Sequence, residues 1–238
     1  PVSSEVCELC HNHCKLRLVE VNGEKIGFGY LCGRDPRQTH FVSANRSGFD
    51  LLAERRKHFA FERAPVAPGP TIGLPAALHL VEDLPLWKRF FHELGLRVVT
   101  SEGSRLAAAR GKQLAGAEFC APIAAWHAHL HWLAEKADFV FVPYYLEAEH
   151  PPGQRSQFCY YTQYSPALAA FSTGKKIFEK CLLPLLRVGK PIGEALDELE
   201  RELQKVFAGK LDRERMEKAF RTANQWYQQR REALRELM

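Results

Sequence analysis

From residue 71 onward the apolar positions alternate between short runs and helical stripes. Residues 71–74 form an apolar run that predicts a buried strand. Trp87, Phe90, Phe91 and Leu94 then recur at helical spacing. Pro85 suits the first turn of that helix, with Asp83 upstream as its cap and Gly95 as its stop. Residues 96–100 predict the next strand, about 104–114 a helix, and 118–120 a third, very short strand. Pro122 opens another helix, with Ile123, Trp126, Leu130 and Leu133 on one face. Residues 138–142, Asp-Phe-Val-Phe-Val, read as a strand buried on both faces of a parallel sheet. From Pro191 the pattern is charged amphipathic helix, ending in 211–238. Strands alternating with helices predict an α/β fold, a doubly wound, mainly parallel open sheet with a C-terminal helical tail.

The first 40 residues follow a different pattern. Residues 15–31 read as two short strands around Asn22-Gly23, a strong hairpin signal. Around them stand Cys7, Cys10, Cys14 and Cys32, spaced C-x2-C-x3-C-x17-C. The hairpin would return Cys32 beside the other three. Four thiolates on one centre suit zinc or an iron–sulfur cluster. Disulfides would need an oxidising compartment, and the sequence shows no secretory signal. Zinc ribbons usually bring two C-x2-C pairs, whereas here the fourth ligand stands alone, as in cluster-binding runs. The arrangement also resembles the small [4Fe-4S] domain that opens many molybdopterin oxidoreductases. The expectation is a [4Fe-4S] cluster, with structural zinc as the alternative. A module this small needs its metal for much of its folding energy.

Residues 48–61 predict a charged amphipathic connecting helix, and 64–70, Ala-Pro-Val-Ala-Pro-Gly-Pro, a linker. The expected organisation is a four-Cys module at 1–40, helix and linker at 41–70, an α/β domain at 71–190 and C-terminal helices at 191–238.

Composition narrows the function classes. The 238 residues are 46% hydrophobic and 26% charged, with a formal charge of +5. Basic residues are interspersed with acids, which argues against a nucleic-acid surface. No apolar run is long enough to span a bilayer. Cysteines without an export signal point to the cytoplasm. The chain has no P-loop, no G-x-G-x-x-G after a strand and no G-x-S-x-G elbow. No complete catalytic set is evident.

Open α/β sheets bind ligands outside the carboxyl ends of their strands. Those ends are expected to carry Pro75, Ser101, Cys120 and Pro143-Tyr144-Tyr145. Cys120, just before the Pro122 helix, and Cys159 could reach one crevice, either as a second centre or as two small buried residues. Cys181 lies in an apolar run and reads as core. His127 and His131 are one turn apart on the same helix. His131 reads as flanking an apolar stripe, while His127 is a candidate for lining the crevice.

Several segments together carry a family likeness. They are Ile72-Gly73-Leu74-Pro75-Ala76-Ala77-Leu78-His79, 82–91 with Leu94-Gly95, Cys120-Ala121-Pro122 with His127-Ala128-His129, 138–143, and Phe158-Cys159-Tyr160-Tyr161-Thr162-Gln163. With the cysteine module, this set resembles the large 2-hydroxyacyl-CoA dehydratase activases across nearly the whole chain. Ala76 and Ala128 stand where that family usually has Arg and Gly. The resemblance implies an iron–sulfur electron-transfer or accessory domain in an ATP-dependent system that activates an acyl-CoA dehydratase or reductase. Its partners would be the activase ATPase portion or the dehydratase or reductase subunits, and a homo-oligomer is left open. The resemblance also implies cluster or site roles for Cys120 and Cys159. The alternative is a zinc-stabilised interaction scaffold whose dehydratase-like domain is catalytically silent.

Overall fold

The computed structural model describes residues 2–8, 13–30, 49–61, 69–102, 104, 107–116, 119–147, 157–172, 174–186 and 192–237. The chain forms two compact units, Pro1–Glu54 and Arg55–Met238.

In the first unit β1 (Val2–Val6), β2 (Lys15–Val21) and β3 (Glu24–Phe28) make an antiparallel sheet in that order. Asn22 and Gly23 both have positive φ, 53° and 81°, the type I′ turn that matches the twist of its strands. The predicted hairpin is therefore present. The sequence reading did not include β1. Its pairing with β2, from Val2↔Val19 to Val6↔Lys15, closes the loop that starts at Cys7. Helix α1 (Leu51–His58) starts where Asp50 accepts from the Ala53 N–H at 3.0 Å. It is shorter than expected and buries none of its residues.

The second unit starts at Arg55, within α1, and continues with β4 (Thr71–Leu74), α2 (Leu80–Glu93) and β5 (Arg97–Thr100). Helix α2 begins earlier than Pro85 suggested, with His79 rather than Asp83 at the cap position, so Pro85 lies inside the helix. Proline there deprives the Val81 carbonyl of its helical donor. Arg55 replaces it, its Nη2 donating to Val81 O at 3.2 Å and to Glu82 O at 2.8 Å. That contact, between residues 26 apart in sequence, is why local signals misplaced the start. Gly95 ends the helix as predicted, at φ 76°, with Leu96 N–H bonded to Phe91 O and Gly95 N–H to His92 O.

Helices α3 (Ala107–Leu114) and α4 (Ala121–Ala134) follow, then β6 (Phe139–Phe141). The third strand expected at 118–120 is not formed by its described residues, Phe119 and Cys120, which are unpaired. Cys120 is instead the extended residue capping α4, and the place beside β4 goes to β6. Next come β7 (Tyr144–Tyr145), α5 (Tyr160–Gln163), α6 (Ser165–Ser172), α7 (Lys175–Phe178), β8 (Cys181–Leu182) and β9 (Leu185–Leu186). The chain closes with α8 (Ile192–Leu203) and α9 (Arg213–Arg235). Asp212 caps α9, accepting from Glu214 N–H at 3.0 Å.

The main sheet is parallel, in the order β5-β4-β6-β8. Pro143 and Pro184 lack N–H donors, and beyond them β7 and β9 pair separately in parallel. Adjacent residues of β6 point to opposite faces, as the apolar run predicted. Phe141 packs with Ile72, Trp87, Phe90, Phe91 and Phe220 of the larger core. Val140 packs with Trp126, Leu130, Leu133 and Cys181 of the smaller one. Helices therefore cover both faces, and the α/β expectation holds. Among the described residues no helix is long and apolar enough to cross a membrane.

Candidate functional site

The cysteine module can be followed at two of its four thiols. Cys7 and Cys14 are both buried, packed with Leu16, Leu18 and Tyr30 in the one small apolar cluster among the described residues of their unit. The Cys7 N–H donates to Cys14 O at 2.9 Å, so the two ends of the loop are held together. Gly29 then brings the end of β3 back against this point. A Cβ on Gly29 would sit 2.6 Å from the Lys15 carbonyl oxygen, so only glycine allows the approach. Cys10 and Cys32 lie outside the described residues. Among the described residues no three His, Cys, Asp or Glu side chains converge on a metal position.

In the second unit the chain runs from β4 out to β5 and returns to β6 on the other side of β4. That reversal is a topological switch point, and a crevice opens there at the carboxyl ends of the strands. It is lined by residues of the β4–α2 loop, by Trp126, by Val142-Pro143 and Tyr145, and by Thr162 and Ser165. Out to its mouth it holds about 290 Å³ of empty space, of which about 20 Å³ is room for the centre of a water-sized group. Leu78, on its wall, has φ 52°, a left-handed conformation that costs a branched residue energy.

Neither predicted thiol lines this crevice. Cys120 and Cys159 are exposed, outside any disulfide, at the cap positions of α4 and α5. Their loops meet through an edge-on contact of Phe119 with Tyr161, ring centroids 5.4 Å apart. Cys181 is buried in the sheet, its thiol donating to Ile177 O at 3.4 Å, and burial pushes its pKa up to about 12. His127 is buried against Phe119 and Trp126, and neither of its ring nitrogens has a hydrogen-bond partner among the described residues. Burial, with His131 beside it, pushes its pKa down. His129 does take part in a polar contact. Its Nδ1 lies 2.7 Å from Ser101 Oγ, which also accepts from the Ala76 N–H at 2.8 Å. This ties the ends of β4 and β5 to α4. Burial lowers the His129 pKa against the opposing effect of the Ser101 contact.

These groups set the pH dependence of folding. His127 and His129 stay neutral in the folded chain where the unfolded chain takes up protons. Their contribution is complete above the ordinary histidine value of about 6.5 and is lost as the pH falls below it. Cys181 works in the opposite sense, because the folded chain keeps a proton that the unfolded chain has lost. Its contribution is lost as the pH rises above 9.0 towards about 12. The urea midpoint of the second unit should therefore be flat between about pH 7 and 8.5 and fall on both sides. An unchanged midpoint from pH 7 to 6 would contradict the histidine assignment.

Sequence reasoning missed a cluster of polar groups behind the crevice. His79 Nε2 lies 3.7 Å from Asp83 Oδ2, one helical turn away. The imidazole packs between the rings of Tyr145, at 4.6 Å, and Phe158, at 4.1 Å. Tyr145 accepts from Trp87 Nε1 at 2.8 Å and its hydroxyl bonds Asp83. Tyr227 of α9 donates to Asp83 Oδ1 and Glu82 O, each at 3.1 Å. Burial raises the Asp83 carboxyl, and the facing His79 opposes that. Burial and the Asp83 charge push the phenols of Tyr145 and Tyr227 well up. The one sequence signal was the i, i+4 spacing of His79 and Asp83.

The second unit is an open-sheet α/β domain with a small cleft at its switch point, and the first is a small sheet whose loop is flanked by two buried thiols. Residues 71–238 match the family described as CoA enzyme activase uncharacterised domain (DUF2229), and the chain belongs to that family. No curated protein and no solved structure matches the chain.

Proposed function

We propose that this chain is an iron–sulfur accessory domain of a CoA-enzyme activation system. Its α/β unit is the family-defining part, and Cys7, Cys10, Cys14 and Cys32 hold one [4Fe-4S] cluster. The observation that supports the cluster is the burial of Cys7 and Cys14 together, at the closed ends of one loop in a unit with almost no other core among its described residues. The chain leaving Gly29 has three residues to reach Cys32, about 10 Å at full extension, starting one residue from Cys14. The donor set, all soft sulfur, fits such a cluster. When bound, it would carry one electron at low potential. The chain's own residues supply thiolates, exclude water with Leu16 and Tyr30, and fix the loop through the β1–β2 ladder.

The electron's destination would be an acyl-CoA dehydratase or reductase, and its source the ATPase portion of the activase, both cytoplasmic. Cys120 and Cys159, on touching loops at the sheet's carboxyl edge, are candidates for a second centre. The alternative, structural zinc on the same four thiols, makes the module a docking knob.

Iron analysis of variants tests this reading. Cys14→Ser should remove most of the iron bound by the unsubstituted chain. Iron unchanged by Cys14→Ser, but lost in a Cys120→Ser, Cys159→Ser double variant, would move the cluster out of the N-terminal module.

A further inference from the structure

The switch-point cleft contains none of the described cysteines, and its chemistry is distinct from theirs. Most of its wall is apolar, with Leu78, Trp126, Val142 and Pro143 among the residues. The one ring that can carry positive charge is His79, and Thr162 brings a hydroxyl. No carboxylate lines it among the described residues. Asp83 stands on the Nε2 side of His79, and no described residue hydrogen-bonds Nδ1, which leaves that atom for a ligand. The imidazole is held between two aromatic rings, so its orientation is set before anything binds.

We propose that this cleft is a binding site for a small monocarboxylate. One carboxylate oxygen accepts from His79, the other from the Thr162 hydroxyl, and a short apolar chain lies against Trp126 and Leu78. The whole cleft has about 20 Å³ of room for the centres of water-sized groups, enough for one carboxylate oxygen. The chain of a few carbons lies along the open mouth, where the empty space of about 290 Å³ runs out into solvent. A phosphate suits it poorly: the Ser165 hydroxyl already donates to Thr162 O and the Tyr145 hydroxyl is bonded to Asp83, so His79 and Thr162 leave most of its oxygens without donors against apolar walls. Asp83 acts as a positioning residue. It holds the imidazole from behind and is itself fixed by Tyr145 and Tyr227. The inference is independent of the metal reading and can stand or fall without it.

The test is a titration of the full chain with butyrate, followed by NMR at the Trp126 indole N–H, assigned with Trp126→Phe, and at the His79 ring. Butyrate should shift both signals along one saturable curve. Butyramide, the same shape without the charge, and inorganic phosphate should each bind at least about tenfold more weakly. His79→Gln should weaken butyrate by about tenfold or more while leaving the iron content unchanged. Failure of butyrate to saturate by about 50 mM overturns the proposal, as does equal binding of butyramide or phosphate. The ligand comparison uses the unsubstituted protein, so it stands even if His79→Gln folds poorly.

Discussion

Gly111→Ala should destabilise the second unit by about 3 kcal/mol or more, a large share of the stability of an ordinary domain. Two effects of opposite sign compete at this position. Glycine inside a helix costs about 1 kcal/mol relative to alanine, so propensity alone favours the substitution. Packing opposes it far more strongly. A methyl on Gly111 would lie 1.6 Å from the Ala124 carbonyl oxygen and 2.3 Å from its carbon. Those are backbone atoms of α4, which no side-chain rotation can clear. Helix α3 would have to withdraw, and α4 carries Trp126, Leu130 and Leu133 into the core. Gly193, in the first turn of α8, has nothing within 4 Å of its added Cβ. Gly193→Ala is therefore the control, neutral or stabilising by up to about 1 kcal/mol. Urea unfolding of both variants measures the difference, and a Gly111→Ala midpoint matching the unsubstituted protein would contradict the close packing.

On the proposed cluster reading, metal removal should have an effect of comparable size on the first unit. Among its described residues the buried apolar cluster comprises Cys7, Cys14 and Leu16, with Leu18 and Tyr30 at the margin, while Val2, Val6, Val21 and Phe28 are exposed. Three short strands with so little apolar burial are marginal alone. Thiolate–metal bonds contribute roughly 10 kcal/mol or more in small structural sites, which outweighs the rest of this core. Stripping the metal anaerobically with a chelator should therefore abolish amide protection across β1, β2 and β3. Protection in β4 and β6, buried between helices in the other unit, should persist. Full protection of β2 after complete metal removal would show that the sheet holds without its metal.

The clearest sequence signals came from elements that local rules decide. Asn22-Gly23 predicted its turn, Gly95 its helix stop, and the 138–142 run a strand between two cores, all observed. Errors arose where distant residues intervene. Pro85 misled because Arg55 supplies the donor that proline removes. The strand expected at 118–120 is not seen in its described part, since Cys120 already belongs to the cap of α4. Strands β7, β8 and β9, of two residues each, are too short to leave a period. At the crevice the sequence led to Cys120 and Cys159 because cysteines carry an obvious chemistry. The residues lining the cleft are mostly plain apolar ones, brought together by the reversal of strand order. The network behind it joins Asp83 to Tyr227, 144 residues apart, which no window along the chain can register.

The central claim is that the N-terminal thiols hold a redox-active cluster, and anaerobically purified protein tests it most directly through iron analysis and a visible spectrum. The account predicts a brown protein with about four irons and four acid-labile sulfides per chain, whose absorption bleaches on reduction. A colourless protein with about one zinc per chain and no iron would contradict it and leave the module a structural knob.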